Sequence, residues 1–476
     1  MALSSALFSG ISGLTNLGNA MQIIGDNIAN LNTVGFKGSS FTFQDLLSQS
    51  MFTRAGASQV GRGTAISEVY ASFEQGSFET TASTTDLAIG GDGFFALRES
   101  GTDSLFYTRA GNFRFNNDGQ MINPEGYVVQ GWAVDANGNI AGSTIDIAMT
   151  SFTSQPQPTK SVSVITNLDK DMPSKSTVLS NAWSGTEDAP IGPATYEYQT
   201  TVKAYDSLGG THDVTIYYDK SDTNGAWEYL ITCNPAEDLR TGITGTESAG
   251  LLARGTITFN ESSGTIMGVS MERLTGPAAS PGNPETRVWD SLTVADCNAD
   301  GYYEFMADFL GGAATTDNIA FNIGVRYNGA SFVPDSLSTT QYASSSTTVY
   351  QSADGYGAGD LQGVDVDVDG LITGVYSNGQ VLPLYKIALA KFQSVQGLHK
   401  MGGNLYRETR ESGSATTSLP GTNGLGSIAP NSLEQSNVDM ASEFVKMITT
   451  QRNFQANSKI ITTTDTMLSE LINLKR

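Results

Sequence analysis

Apolar residues repeat every seven positions at both ends of the chain. Over residues 1–31 the repeat falls on Leu7, Leu14, Met21 and Ile28. Over about 437–474 it falls on Met447, Phe454, Ile461 and Leu468. Two helices with this spacing can wind around each other as a left-handed coiled coil. The pattern therefore predicts N- and C-terminal helices that pair as a coiled coil, with the rest of the chain nested between them.

Glycines weaken the N-terminal helix. Residues 1–31 contain Gly10, Gly13, Gly18 and Gly25, and each costs a helix about 1 kcal/mol relative to Ala. Such a helix needs a partner surface. One interpretation is a bundle within a single molecule. The poor intrinsic helicity favours the other interpretation, in which the ends become ordered on assembly with neighbouring subunits.

Between the helical ends, the pattern changes to short apolar or alternating runs separated by Gly-rich turns. Leu87-Ala88-Ile89 and Phe94-Phe95-Ala96-Leu97 are two such runs, divided by glycines. Further along, Trp227, Tyr229, Ile231 and Cys233 alternate with other residues and so share one face of a strand. This punctuation is typical of β-structure. We predict a mixed α and β fold in which all-β domains are inserted between the paired helices.

The same patterns give domain boundaries. We predict a helical coiled-coil core domain from 1–37 with 431–476, and connector segments at 38–63 and 411–430. Inside these lie a β-rich inner domain from 64–145 with 350–410 and a β-rich outer domain at 146–349. The outer domain has room for an extra subdomain around 265–320.

Composition narrows the function classes. The net charge is −22, and only 16% of residues are charged. An acidic chain is unsuited to nucleic acid or to an anionic membrane surface, both of which attract Lys and Arg. No run of about 18 apolar residues is present to insert into a membrane. The first basic residue is Lys37, so an ordinary signal peptide is not expected. We expect a cytoplasmic chain or export without a cleaved signal.

Catalytic and metal-binding patterns are weak. His212 and His399 are the only histidines, and neither lies in a nucleophile motif, so we expect no enzyme and no cofactor. Residues 296–301 and 365–370 have the spacing of a calcium loop. Both lack the acidic twelfth position. Alternating Asp and Val is also typical of an exposed strand face, which is the favoured interpretation, and we assign no metal ligand.

Longer motifs carry a family resemblance. The run from Asn27 to Lys37 resembles the N-terminal signature of bacterial flagellar rod and hook proteins. The runs 436–439 and 451–457 resemble their C-terminal signature. Shorter segments at 205–210 and 354–361 look more like hook proteins than rod proteins. The predicted assembly motif comprises Asn27, Asn30, Gly35, Phe36, Lys37, Asn437, Val438, Asp439, Gln451, Arg452 and Asn457.

The resemblance implies a structural function. A hook subunit would leave the cell through the flagellar type III export apparatus and polymerise with itself into a curved, flexible tube. That tube acts as a universal joint between rod and filament. The implied partners are further copies of the chain and the distal rod, hook cap and hook–filament junction proteins. A distal rod protein is the alternative, followed by a secreted β-rich adhesin.

The two cysteines, Cys233 and Cys297, are each followed by Asn. This pair resembles the reactive Cys-Asn of those family members that cross-link neighbouring subunits through a lysine. Two other interpretations stay open: a single disulfide, or a small buried hydrophobic side chain.

Overall fold

The computed structural model describes residues 2–53, 56–135, 138–149, 151–280, 282–310 and 317–473. The chain divides into two compact units. We call Met1–Phe152 with Leu361–Arg476 the terminal unit, and Thr153–Asp360 the central unit. The central unit is thus inserted in the sequence of the terminal unit.

The N-terminal part of the terminal unit is one helix followed by short strands. Its elements are α1 (Ala2–Ala29), β1 (Ser39–Asp45), β2 (Gln49–Thr53), β3 (Gly56–Val60), β4 (Thr64–Ala71), β5 (Phe78–Thr80), β6 (Leu87–Gly90), β7 (Phe94–Arg98), β8 (Leu105–Thr108), β9 (Arg114–Phe115), β10 (Met121–Ile122), β11 (Val128–Val134) and β12 (Ile140–Asp146).

The central unit consists of strands with two short 3-10 turns. Its strands are β13 (Thr153–Ser154), β14 (Ser161–Asn167), β15 (Tyr198–Tyr205), β16 (Thr211–Lys220), β17 (Ala226–Thr232), β18 (Leu251–Phe259), β19 (Ile266–Gly276), β20 (Val288–Ser291), β21 (Tyr303–Ala307), β22 (Asp317–Asn322), β23 (Val325–Tyr327), β24 (Phe332–Pro334) and β25 (Thr347–Ala353).

The chain then returns to the terminal unit and ends in the second helix. These elements are β26 (Gly359–Val366), which begins in the central unit, β27 (Leu371–Tyr376), β28 (Val381–Ile387), β29 (Leu389–Lys391), β30 (His399–Gly402), β31 (Leu405–Arg407), β32 (Thr416–Ser418), β33 (Ser427–Pro430), β34 (Ser432–Glu434) and α2 (Met440–Asn473).

The terminal unit is built around an antiparallel sheet with strand order β26-β27-β28-β11-β7-β8-β31-β30. Its core contains Leu87, Phe95, Leu97, Ile387 and Leu389, all with no exposed surface. Separately, β6 pairs with β33 and β5 pairs with β34. These pairs bring the segment before α2 next to strands from the first part of the chain. A two-stranded ladder of β1 and β4 packs beside α1.

The described part of the central unit contains two larger sheets with a shared apolar core, and a separate pair formed by β23 and β24. One is an antiparallel six-stranded sheet in sequential order from β15 to β20. The other has the order β21-β22-β14-β25, in which β14 and β22 run parallel. Large aromatic side chains fill the core, with Tyr218, Trp227, Tyr229 and Phe305 at most 1% exposed.

Several predicted elements are confirmed. Strands are present at 87–90, 94–98 and 226–232, and the long helices lie at the two ends. The structure also differs from the sequence prediction. The segment 38–63, expected as a connector, contains β1 to β3, and 411–430 contains β32 and β33. Ser, Thr and Gly dominate these stretches, so their alternation carries little hydrophobic signal.

The predicted outer domain at 146–349 overlaps the central unit, although the two have different limits. The region 145–190 showed few signals of order, yet it contains β14 and the buried side chains of Leu179 and Trp183. Residues 265–320 supply β19 to one sheet and β21 and β22 to the other. These strands contribute to the core of the central unit, because their apolar side chains pack against those of strands from other parts of the unit.

Candidate functional site: the helical ends and their junction

Local hydrogen bonds define where the two helices end. Asp439 caps α2, since its carboxylate oxygens accept the backbone N–H groups of Ala441 at 3.2 Å and Ser442 at 3.1 Å. The Ser436 hydroxyl, by contrast, accepts the N–H of Val438, which precedes the helix. After α1, the Asn30 side chain donates to the carbonyl of Asp26 at 2.9 Å. A carboxylate at the start of a helix is favourable because unpaired N–H groups cluster there.

Gly35 allows the sharp turn after α1. Its φ is +68°, and a Cβ there would lie 2.5 Å from the backbone nitrogen of Ala110. Its N–H donates to the carbonyl of Glu434 at 2.7 Å. A side chain would meet both strain and backbone at this position. Glycine is therefore needed where the first helix meets the strand that leads to the second.

α1 and α2 contact each other within the terminal unit. Of the predicted seam residues, Ile461 lies against α1, where a Cβ on Gly10 would be 3.1 Å from its Cγ1, and none of the eight is fully buried. Leu7, Leu14, Met21 and Ile28 are half-buried, as are Met447 and Ile461. Phe454 is 43% exposed and Leu468 36% exposed. The helix pair therefore brings the predicted seam together only partly, and coiled-coil winding remains a prediction.

A polar row accompanies the apolar row on α2. Glu443, Thr450 and Thr464 are buried and Asn457 is half-buried, at spacings of seven residues. Facing them, a Cβ on Gly13 would lie 2.9 Å from Asn457 Nδ2, and one on Gly10 would lie 3.1 Å from Ile461 Cγ1. The two glycines thus allow close helix approach. Sequence reasoning missed this row, although its seven-residue spacing was visible.

Two asparagines of the predicted motif join the helices to the strands. Asn27 accepts the backbone N–H of Ser39 at 2.8 Å and donates to the Ser39 carbonyl at 2.8 Å. It also lies 3.3 Å from Glu443 Oε2 on α2. Asn437 accepts the N–H of Gly38 at 2.9 Å and donates to the carbonyl of Ser72 at 2.8 Å. Each side chain therefore bonds backbone N–H and carbonyl groups that would otherwise need partners on a neighbouring strand.

A buried charge cluster lies at the base of the helices. Lys37 Nζ is 2.6 Å from Glu434 Oε1, and neither side chain has exposed surface. Arg109 Nη1 is 3.5 Å from Glu434 Oε2. Burial lowers the pKa of Lys37 and of Arg109, and the Glu434 charge opposes both shifts. We call these three residues the junction cluster; it links the segments after α1 and before α2 to the main sheet.

The remaining motif residues have different surroundings. Phe36 is buried, and the Lys400 ammonium lies 5.5 Å from its ring centroid. Val438 is half-buried, whereas Gln451 and Arg452 are exposed on α2. The assembly motif therefore contains a buried structural part and an exposed helical part. Glu434 was missed in the sequence because a lone Glu in a polar segment gives no sign of its buried partner.

The alternative sites have ordinary structural explanations. Asp367 Oδ1 accepts the N–H of Leu371 at 2.8 Å, and Asn298 Oδ1 accepts that of Tyr302 at 3.0 Å, so both acidic loops close as turns. Within the described part of the chain, no group of three His, Cys, Asp or Glu side chains is placed to hold a metal. Cys233 and Cys297 are free thiols whose pKa values are raised by burial.

Neither α1 nor α2, taken over the described residues, is long and apolar enough to cross a membrane.

Comparison with protein-family models identifies flagellar domains along the chain. Residues 7–37 match "Flagella basal body rod protein", and 88–165 match "Flagellar hook protein FlgE/F/G D1 domain". Residues 167–356 match "Flagellar basal body protein FlaE D2 domain", and 429–474 match "Flagellar basal body rod FlgEFG protein C-terminal".

Whole-chain relatives give the same family. The chain is 33% identical to the flagellar hook protein FlgE of Treponema pallidum, with 99% of each chain covered. It is also 33% identical to that of Borreliella burgdorferi, again over 99% of each. Identity to the Salmonella typhimurium protein is 28%, over 98% of each. The crystal structure of Helicobacter pylori FlgE2 aligns with 75% of this chain and all of that one, at a TM-score of 0.45 and 14% identity.

Proposed function

The chain belongs to the flagellar hook protein family, and we propose that its terminal helices, held at their base by the junction cluster, join copies of it into the hook. Its function is that of a structural protein of the bacterial flagellum. Our proposal concerns which parts of the chain make the polymer. We assign that role to the ends and no catalytic role to any residue.

The uncovered apolar surface of the helices carries this proposal. Large apolar side chains on both helices are exposed in the single chain, although soluble proteins rarely leave such patches uncovered without a partner. They are Phe8, Ile11, Met440, Phe444, Val445, Ile448, Ile460 and Met467. Along α1, Gly18 and Gly25 have nothing within 4 Å of an added Cβ. Neighbouring copies can therefore approach α1 closely while covering the apolar residues of α2.

We further propose that α1 and α2 wind as a coiled coil in the polymer. The predicted seam of Leu14, Met21, Met447 and Ile461 is already half-buried in one chain. Contacts from a second copy would cover the exposed side of Phe454. Ordering the glycine-rich α1 would then be driven by assembly.

Substitution on the exposed face tests the proposal. Ile448→Asp places a charge on an apolar position that is 49% exposed, so it should leave the single chain folded and abolish polymer formation. Thr449→Asp adds the same charge at the adjacent exposed polar position and should still polymerise. Secreted protein and hooks would be counted by immunoblot and electron microscopy. Normal hooks from Ile448→Asp would contradict the assignment.

We also propose that the polymer is a curved, flexible tube acting as a universal joint, with the central unit supplying compliance. Segments 145–190 and 336–360 are rich in Ser, Thr, Asn, Asp and Gly, and wet polar contacts exchange water bridges at little cost. The N–H of Leu361 donates to the carbonyl of Phe152 at 2.7 Å, so 153–360 can be replaced by a short glycine linker. Such a chain should form straight tubes; curved tubes would oppose this role.

The proposed partners follow from the family. We propose contacts with the distal rod, hook cap and hook–filament junction proteins, and export by the flagellar type III apparatus to an extracellular position. The net negative charge disfavours binding to nucleic acid. We therefore propose no nucleic-acid partner and no insertion into a membrane. Mass spectrometry of subunits from purified hooks tests the export route: an intact N-terminal segment supports it, and a cleaved one opposes it.

A further inference from the structure

A buried carboxyl group in the central unit lacks full hydrogen bonding. Asp219, on β16, is only 3% exposed, and its Oδ1 has no hydrogen-bond partner. The backbone N–H groups of Lys175 and Lys220 bond to this carboxyl. Removing a carboxylate from water is costly unless its oxygens are paired. The ionised form of Asp219 is therefore poorly supported where it lies.

The neighbours of Asp219 add to this cost. Glu228 is its direct partner in register on β17. Glu197 precedes β15, and its N–H donates to the carbonyl of Tyr218, next to Asp219. One ammonium group faces this group of carboxyls: Lys175 Nζ lies 2.9 Å from Glu197 Oε1. The ammonium of Lys220 is bonded instead to backbone carbonyls of residues 170 and 172.

A segment without regular structure lies over these acids. We call residues 170–179 the strap. Besides its two Lys175 contacts, the strap donates the Leu179 N–H to Glu228 Oε2 at 3.5 Å and the Ser176 hydroxyl to Asp222 Oδ1 at 3.0 Å. Asp219, Glu197 and Glu228 are thus each touched by the strap, so lifting it would expose all three to water.

We propose that Asp219 is a proton switch for the strap, which holds residues 170–179 on the sheet when protonated and releases them when ionised. The proton can fill the unmet hydrogen-bonding capacity of Asp219, because a protonated carboxyl can donate to a neighbouring carboxylate. When Asp219 loses this proton, the negative charges of Asp219, Glu197 and Glu228 face the single ammonium group of Lys175. This inference is independent of the role of the helices in assembly.

The direction of the effect follows from linkage. Burial raises the pKa of Asp219 to about 6, and the charges of Glu197 and Glu228 add to the rise. With the strap open, the pKa would return towards its usual value of about 3.9. The closed form therefore binds the proton more tightly, so opening becomes easier as the pH rises from about 4 to about 6 and levels off above. The expected increase in opening is roughly ten- to hundred-fold.

Hydrogen exchange of the full chain, with rates corrected for intrinsic pH dependence, measures this opening. Between pH 4.5 and pH 7.5, the opening of 170–179 should increase by that factor. Asp219→Asn introduces an uncharged side chain of the same shape, so opening of the strap should stay low at both pH values. Asp222→Asn removes a nearby carboxyl that contacts the strap from an exposed position, and it should behave like the original chain.

Two controls keep the test specific. His212 lies between Asp206 and Glu237, at 3.1 and 2.7 Å, and is outside the strap, so exchange at 205–212 is followed separately. If Asp219→Asn does not fold, Glu228→Gln replaces it and should shift the transition to lower pH. An unchanged pH dependence in Asp219→Asn, or no pH dependence in the original chain, would overturn the proposal.

Discussion

The paired helices at the chain ends and the sheets of the central unit bury their apolar residues to different extents. Seam residues such as Leu14, Met21 and Phe454 are half-buried or exposed in the single chain. In the central unit, Trp227 and Phe305 have no exposed surface. The central unit can therefore satisfy its own core, whereas the helical ends leave apolar side chains exposed, which we propose are covered by another copy. A subunit of this kind keeps folding and assembly in separate parts of the chain.

The junction cluster belongs to the self-sufficient part, although it lies at the base of the helices. Lys37 and Glu434 are fully buried within one chain, unlike the helix residues beyond them. Under our proposal, the boundary between the part that folds alone and the part that assembles lies close to Asn27 and Asp439. The following substitutions test this boundary, beginning with the largest expected effect.

Matched Phe-to-Ala substitutions separate the two regions most clearly. Phe305→Ala removes a side chain with no exposed surface and should lower the free energy of unfolding of the central unit by about 4 kcal/mol. Phe454→Ala removes a 43% exposed ring and should barely change that value, but it should raise the concentration needed for polymerisation. Urea unfolding and light scattering measure the two effects. If Phe305→Ala and Phe454→Ala destabilised the single chain equally, the proposed contrast between the central unit and the helical ends would be wrong.

The junction cluster should respond as a buried ion network. Glu434→Gln leaves Lys37 and Arg109 without their counter-charge, which should lower the free energy of unfolding of the terminal unit by about 3 kcal/mol. Lys37→Met should cost less, because Arg109 still faces Glu434 at 3.5 Å. Unfolding curves, measured by hydrogen exchange of residues 87–98, give the free energy of unfolding of both variants. A larger loss in Lys37→Met would show that Glu434 is not the centre of the cluster.

Asn27 tests the link between helix and strand. Asn27→Ala removes both hydrogen bonds to Ser39 and should destabilise the terminal unit by about 2 kcal/mol. Asn30→Ala is the control, since Asn30 bonds to Asp26 and Thr33 within the local turn at residues 26–33, and a smaller loss is expected. Thermal unfolding of both variants gives the comparison; equal losses would argue against a special role for Asn27.

The smallest effect should come from the cap of α2. Asp439→Ala leaves the N–H groups of Ala441 and Ser442 without their carboxylate and should cost about 1 kcal/mol of helix stability. Ser436→Ala should change little, because the Ser436 hydroxyl does not cap the first turn. Circular dichroism of the full chain can rank them. A larger loss in Ser436→Ala than in Asp439→Ala would show that Ser436, and not Asp439, caps the helix.

The elements that depend on periodic apolar residues could be predicted from the sequence. The contacts that depend on residues distant in the chain could not. The spacing of Leu14 and Ile461 was sufficient to predict the terminal helices, and strands such as 226–232 followed from alternation. The buried environment of Glu434 was not predictable, because Lys37 lies 397 residues away. Contacts made only in the folded chain bring the two together, among them the pairing of β5 with β34 and the bond from the Gly35 N–H to the Glu434 carbonyl. Strands β1 to β3 were missed because polar side chains dominate them.

Hydrogen exchange of the same chain, as a single subunit and as a polymer, tests the central claim most directly. The account predicts fast exchange over 7–29 and 440–468 in the single chain and strong protection there in the polymer. Strands 198–205 and 226–232 should be protected equally in both states. Equal protection of the terminal helices in both states would show that the ends are complete without neighbours, and would contradict the account.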